Sequence, residues 1–148
     1  MRRGLINQVV AFFRVDSNGS KPARNSTIDR NVLFEYSPRM DGDPDPGEVV
    51  WTWVPYEDDA SQGKDRPVVI VGRKGSVLIG VPLTSKQHDN EAQVCVGTGS
   101  WDREGRPSYA KLEQLLEVDP RKVRREGAIL SRSRFDDVVA GVKRQHAR

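Results

Sequence analysis

The stretch Pro67-Val68-Val69-Ile70-Val71-Gly72-Arg73-Lys74-Gly75-Ser76-Val77-Leu78-Ile79-Gly80-Val81-Pro82-Leu83 decides the fold. Two apolar runs rich in β-branched residues flank a short polar turn, in which Gly75 is free to take positive φ. The pattern predicts a β-hairpin, with residues 67–72 buried on both faces. Upstream, Val49, Trp51 and Trp53 alternate with Val50, Thr52 and Val54, which predicts another strand. Downstream, residues 93–97 and 128–130 suit short strands. Polar, Gly- and Pro-rich loops separate them at residues 37–47, 55–65 and 97–107. Residues 108–116 contain good helix formers, and Leu112, Leu115 and Leu116 fall at helical spacing, so this stretch is locally ambiguous. The chain ends in its clearest helix, with a stripe of Phe135, Val138, Val139 and Val142. Ser133 is the expected N-cap, with Asp136 completing a capping-box variant. The sum is a mainly β domain, a small barrel or roll of short strands with a C-terminal helix.

The N-terminal third reads differently. Residues 5–13 have spacing that permits a short amphipathic helix, residues 15–31 read as a polar linker or disordered arm, and residues 32–36 form an apolar patch. The first residues lack the uninterrupted apolar run and small-residue cleavage site of a signal peptide. No run approaches the ~20 apolar residues of a membrane-spanning helix.

Of 148 residues, 36% are hydrophobic and 30% charged, below the usual apolar share, as expected if part of the chain is not packed. One cysteine excludes an internal disulfide and a cysteine-based zinc site, and suits a reducing cytoplasm. Charge is unevenly laid out. Residues 1–47 carry 7 basic and 6 acidic side chains, residues 48–120 carry 8 and 12, and residues 121–148 carry 9 and 3. The basic end is either a steering surface for a polyanion or a solvated helix face.

Standard catalytic sets are missing. No strand–loop–helix context supports a phosphate-binding glycine loop. His88 and His146 are far apart in polar surroundings and read as surface histidines. Cys95 lies in an apolar strand pattern and reads as core. Glu57, Asp58 and Asp59 are either metal ligands or simply solvated, and no second ligand cluster accompanies them. One constellation remains. If the two hairpin strands are neighbours, Arg66 at the start of one lies beside Thr84 at the end of the other. An Arg fork and a Thr hydroxyl can share a phosphate. A surface Arg and an ordinary strand-end Thr are the competing reading.

Three segments in order carry a resemblance: residues 46–55 (PGEVVWTWVP), residues 62–71 (QGKDRPVVIV) and residues 81–85 (VPLTS). They resemble the MazF/PemK toxins of bacterial type II toxin–antitoxin systems, and residues 112–119 resemble a later block of that family. The resemblance covers about residues 46–145. It implies an SH3-like β-barrel with a C-terminal helix at 46–148; the preceding arm at 1–45 lies outside the resemblance and is expected from its own residues to be partly disordered or added to the barrel edge. The resemblance implies a strand, not a helix, over residues 112–118. It also implies a homodimeric, cytoplasmic, metal-independent endoribonuclease with no cofactor and no membrane partner. Such an enzyme cleaves single-stranded RNA to 2′,3′-cyclic phosphate and 5′-hydroxyl ends, with the RNA's own 2′-OH as nucleophile. Arg66 matches the catalytic Arg and Thr84 the strand-end hydroxyl. Ser61 and Gln62 match the loop that closes over bases. Lys64, Ser85 and Lys86 are the accompanying substrate contacts. The protein partner implied is a small, acidic, partly disordered antitoxin.

The sequence departs from that pattern where some members carry an acid just before the loop Gln. Here the residue is Ser61, and Asp65, Asp59 or nothing takes its place. The competing function is a non-enzymatic toxin or binding module on the same barrel, a topoisomerase poison or an RNA binder. Trp51 and Trp53 share a strand face and are expected in the core or a dimer interface. Trp101 is expected either to stack on a base or to anchor its loop.

Overall fold

The computed structural model describes residues 28–39 and 43–147. The readings for residues 5–13 and most of 15–31 lie outside the described residues. The hairpin forms as its sequence dictates. Strand β3 (Gly63–Lys74) turns at Gly75, whose φ is 62°, into β4 (Val77–Thr84). Val68, Val69, Ile70 and Val71 are completely buried, on both faces of β3. Each such side chain contributes about 1.5–3 kcal/mol by leaving water.

All pairings among the described residues are antiparallel. β2 (Glu48–Pro55) runs along one edge of β3, and β8 (Arg124–Ile129) lies beyond β2. The β3–β4 register shifts at a bulge between Ile70 and Gly72; along the other edge of β3, β2 pairs as far as Val69 and the two-residue β1 (Leu33–Phe34) pairs with Gly72 and Arg73. The other edge of β4 is shared in the same way. β7 (Leu116–Val118) pairs with residues 78–80, and β6 (Ser108–Lys111) pairs with Leu83 and Thr84. β5 (Gln93–Gly97) pairs with β6. The order is β5-β6-β4-β3-β2-β8. The fold is mainly antiparallel β with one C-terminal helix, as expected, and its hydrogen-bonded path is an open roll that does not close into a complete barrel.

The helix α1 (Arg132–His146) serves that opening. It follows β8 and packs beside β5, where Arg134 Nη1 donates to the Cys95 carbonyl at 3.1 Å. Phe135, Val138 and Val142 are buried as the stripe predicts. The N-cap is Ser131 rather than Ser133: its Oγ accepts from the Arg134 N–H.

The ambiguous stretch resolves into β6, a turn at residues 112–113, and β7. The strand expected over 112–118 is present only at residues 116–118. Leu112, Leu115 and Leu116 are all buried, so their spacing reflects core contact, and helix propensity yields to it. Between β7 and β8 lies a single 3-10 turn, Pro120–Lys122, capped by Asp119. Glu48, 1% exposed, is bound by Arg125 through two hydrogen bonds of 3.0 and 2.8 Å, which tie β2 to β8.

Candidate active site

Arg66 lies in β3 opposite Thr52 of β2. On its other side, β3 and β4 pair with Val68 opposite Pro82. Two residues further along that register are Arg66 and Thr84, the pair expected from the sequence. Arg66 is half-buried, and among the described residues no carboxylate makes an ion pair with it. Burial pushes its pKa down, against an upward pull from Tyr56, Glu57 and Glu91. A partly desolvated guanidinium without a bound acid is a ready site for an anion.

Thr84 is 9% exposed, and its Oγ1 accepts from the Lys86 N–H at 3.1 Å. Its backbone pairs with Tyr109 of β6. The hydroxyl hydrogen is therefore left to donate elsewhere.

Lys64 shares the Arg66 face of β3, two residues back. Its pKa is lowered by the charge of Arg66 first, then by partial burial, then by Lys86 and Arg106. Lys64 thus lies within electrostatic reach of Arg66, Lys86 and Arg106, the last of these ion-paired with Asp102 at 2.9 Å. Ser85 is exposed beside them. Ser61 and Gln62 sit on the adjoining loop. The Ser61 hydroxyl donates to Asp59 Oδ1 at 2.6 Å, and the Gln62 carbonyl accepts from the Tyr56 N–H at 2.8 Å, which closes the loop onto β2. Asp59 is held below its ordinary pKa by those Ser61 hydrogen bonds.

The two acids suggested as substitutes at Ser61 are both directed away. Asp59 braces the loop turn. Asp65 points to the opposite face of β3 from Arg66 and meets Arg124 at 3.2 Å. The carboxylates on the Arg66 side are instead Glu57 and Glu91. Lys111 Nζ lies 3.6 Å from Glu57 and 3.2 Å from Glu91. Neither Glu91, Lys111 nor Arg106 stands out in the sequence, because nothing local links them to Arg66; only the pairing of β5, β6 and β4 does.

Other expectations are corrected. Cys95 is exposed, not core. His146 is 3% exposed, not a surface residue, and its Nε2 donates to the Leu112 carbonyl at 3.1 Å. Trp53 is 47% exposed in the single chain and so is not core, while the half-buried Trp51 donates its indole N–H to the Trp101 carbonyl. Trp101 is 4% exposed and donates to Ser108 Oγ at 2.9 Å. It anchors its loop and cannot stack on a base without leaving that pocket.

The family model for PemK-like, MazF-like toxins of type II toxin–antitoxin systems matches residues 45–146. The chain belongs to this family. The matched span begins just before the buried Glu48 and ends at the last residue of α1, so it takes in every strand from β2 onward and the whole Arg66–Thr84 surface. Membership makes the protein the toxin of a toxin–antitoxin pair, with a cognate antitoxin as its partner. No curated protein matches the chain. Among the described residues no helix is long and apolar enough to cross a membrane.

Proposed function

We propose that this toxin is a metal-independent endoribonuclease that cleaves single-stranded RNA, leaving 2′,3′-cyclic phosphate and 5′-hydroxyl ends. The observation that carries the proposal is Arg66, a half-buried guanidinium without an ion-pair partner among the described residues, with Lys64 on the same face of β3 and with Thr84 two residues beyond the last pair of the β3–β4 register. The reaction needs no protein nucleophile, because the 2′-OH of the RNA attacks the adjacent phosphorus. The protein has to hold the scissile phosphate in line and offset the charge that grows on its oxygens. Arg66 supplies two donors from one planar fork, and Thr84 supplies a third from its free hydrogen. Arg66 acts by charge stabilisation, since a guanidinium stays protonated at neutral pH.

Lys64, Lys86 and Arg106 extend the positive surface along which flanking phosphates lie, while Ser61, Gln62 and Ser85 contact nucleotides beside the break. Binding a polyanion there relieves the mutual repulsion that lowers the Lys64 pKa. The same surface suits an acidic antitoxin segment, which would block the site by occupying it. The active form is a cytoplasmic homodimer.

The test is cleavage of a single-stranded RNA in the presence of a chelator. The wild-type protein cuts, with cyclic phosphate at the new 3′ ends, and Arg66→Ala loses at least about 100-fold in rate while keeping its circular dichroism spectrum. Cleavage by Arg66→Ala at the wild-type rate sinks the assignment of the site. A wild-type protein that binds RNA and never cuts it sinks the enzymatic reading.

A further inference from the structure

The cleavage reaction has a proton to remove from the 2′-OH, and neither Arg66 nor Thr84 can accept it. We infer that Glu57 is the general base, and that Glu91 and Lys111 are positioning residues that hold it in place. The inference rests on the endoribonuclease reading.

The placement comes from two directions. Glu57 directly follows Tyr56, whose N–H donates to the Gln62 carbonyl at 2.8 Å, so the backbone before Glu57 is pinned to the substrate loop. From the other direction comes β6. Tyr109 is paired with Thr84, and Lys111, two residues on, faces the same side of the sheet. Lys111 Nζ reaches Glu57 at 3.6 Å and Glu91 at 3.2 Å. One lysine therefore connects the strand beside Thr84 to the carboxylate beside the substrate loop.

The two acids are not equivalent. Lys111 donates a hydrogen bond to Glu91 Oε1, and Gln93 Nε2 lies 3.4 Å from the same oxygen. Gln93 also reaches the Lys86 carbonyl, so Glu91 is built into the β5–β6 frame. Glu57 meets Lys111 only at the longer ion-pair distance and keeps its side chain about half exposed. Its oxygens are thus available to a substrate hydroxyl. The groups facing Glu57 are Lys111 from β6, Arg66 from β3 and Glu91 from the segment before β5, with Tyr56 beside it in the chain.

The step balances. The O2′–P bond forms, the P–O5′ bond breaks, the 2′-OH proton passes to Glu57, and the departing O5′ takes a proton from water. Glu57 then returns its proton to water.

The experiment measures single-turnover cleavage of one RNA across the acidic and neutral range, with KM from steady state, for the wild type, Glu57→Gln, Glu91→Gln and Arg66→Ala. Glu57→Gln should lower kcat about 100-fold with KM little changed, and should abolish the limb along which the rate climbs as a carboxylic acid ionises. Glu91→Gln should keep that limb and lose less rate. Glu57 is exposed, so Glu57→Gln should melt like the wild type, and the melt is recorded beside the kinetics. An inactive Arg66→Ala with Glu57→Gln at the wild-type rate overturns the base assignment alone. Loss of the limb in Glu91→Gln rather than Glu57→Gln also overturns it. A fully active Arg66→Ala overturns the underlying site first.

Discussion

Thr84 shows how little a side chain must do to be decisive. Its oxygen already accepts the Lys86 N–H, so what it has to offer a phosphate is one hydrogen. Thr84→Val keeps the shape and removes that hydrogen. The Lys86 N–H lies on an exposed residue and can turn to water, so the stability cost should be about 1 kcal/mol. The rate cost should be far larger, about 100-fold, because the lost donor faces charge that develops only in the transition state. Thr84→Ser, which retains the hydroxyl, should recover most of the activity. Parallel melting curves and cleavage rates decide the matter. A Val variant that cuts RNA like the wild type would show that the hydroxyl plays no part.

At the scale of elements, Gly72 governs how β1 joins the sheet. A Cβ at Gly72 would run into the Leu33 carbonyl, and β1 pairs with β3 through Phe34 opposite this glycine. Around that contact, Glu35 and Asp45 both bind Arg73, Asp29 binds Lys74, and Tyr36 packs on Phe135 with ring centroids 4.9 Å apart. Gly72→Ala should therefore displace residues 28–39 while β3 and β4 stay paired. It should lower stability by about 1–3 kcal/mol and speed proteolysis within residues 28–39, with RNA cleavage largely retained. Unchanged proteolysis in that segment would show that β1 does not depend on the close approach.

The same element scale explains what could be read from the sequence. The β3–β4 hairpin was legible because alternation, apolar runs and a glycine turn are all local, but a regular register from Lys74 opposite Val77 sets Thr84 opposite Pro67, and only a bulge in β3 shifts it toward Arg66. That bulge, at Val71 in the β3–β4 pairing, has no local signal. Nor do the partners Glu57, Glu91 and Lys111, which come from three places that meet only after β5 and β6 have docked. Cys95, expected in the core, is exposed because strand alternation reveals two faces without saying which one the rest of the chain covers. Residues 112–116 misled in the opposite sense: leucines at helical spacing are buried by a turn between two short strands.

For the molecule as a whole, the buried His146 links folding to pH. It sits at the end of α1, on Leu112 between β6 and β7, so it senses whether the helix is docked on the sheet. Burial lowers its pKa from the ordinary 6.5, against a weaker upward pull from the Leu112 carbonyl and Glu113. Unfolding releases it to the ordinary value, so below about pH 6.5 the unfolded chain binds more protons than the folded one. The resulting stabilisation is complete above 6.5 and is lost as pH falls toward the lower folded value. The depressed carboxyls Asp29, Asp59 and Asp119 act in the same sense, with stability lost as pH falls, but only near and below their ordinary 3.8, so they leave this window to histidine. The melting temperature should fall from about pH 7.5 to about pH 5.5. His146→Leu should flatten that slope, at the cost of a lower melting temperature at neutral pH, because the Leu112 carbonyl loses its donor. A slope unchanged in His146→Leu would place the sensitivity in another group.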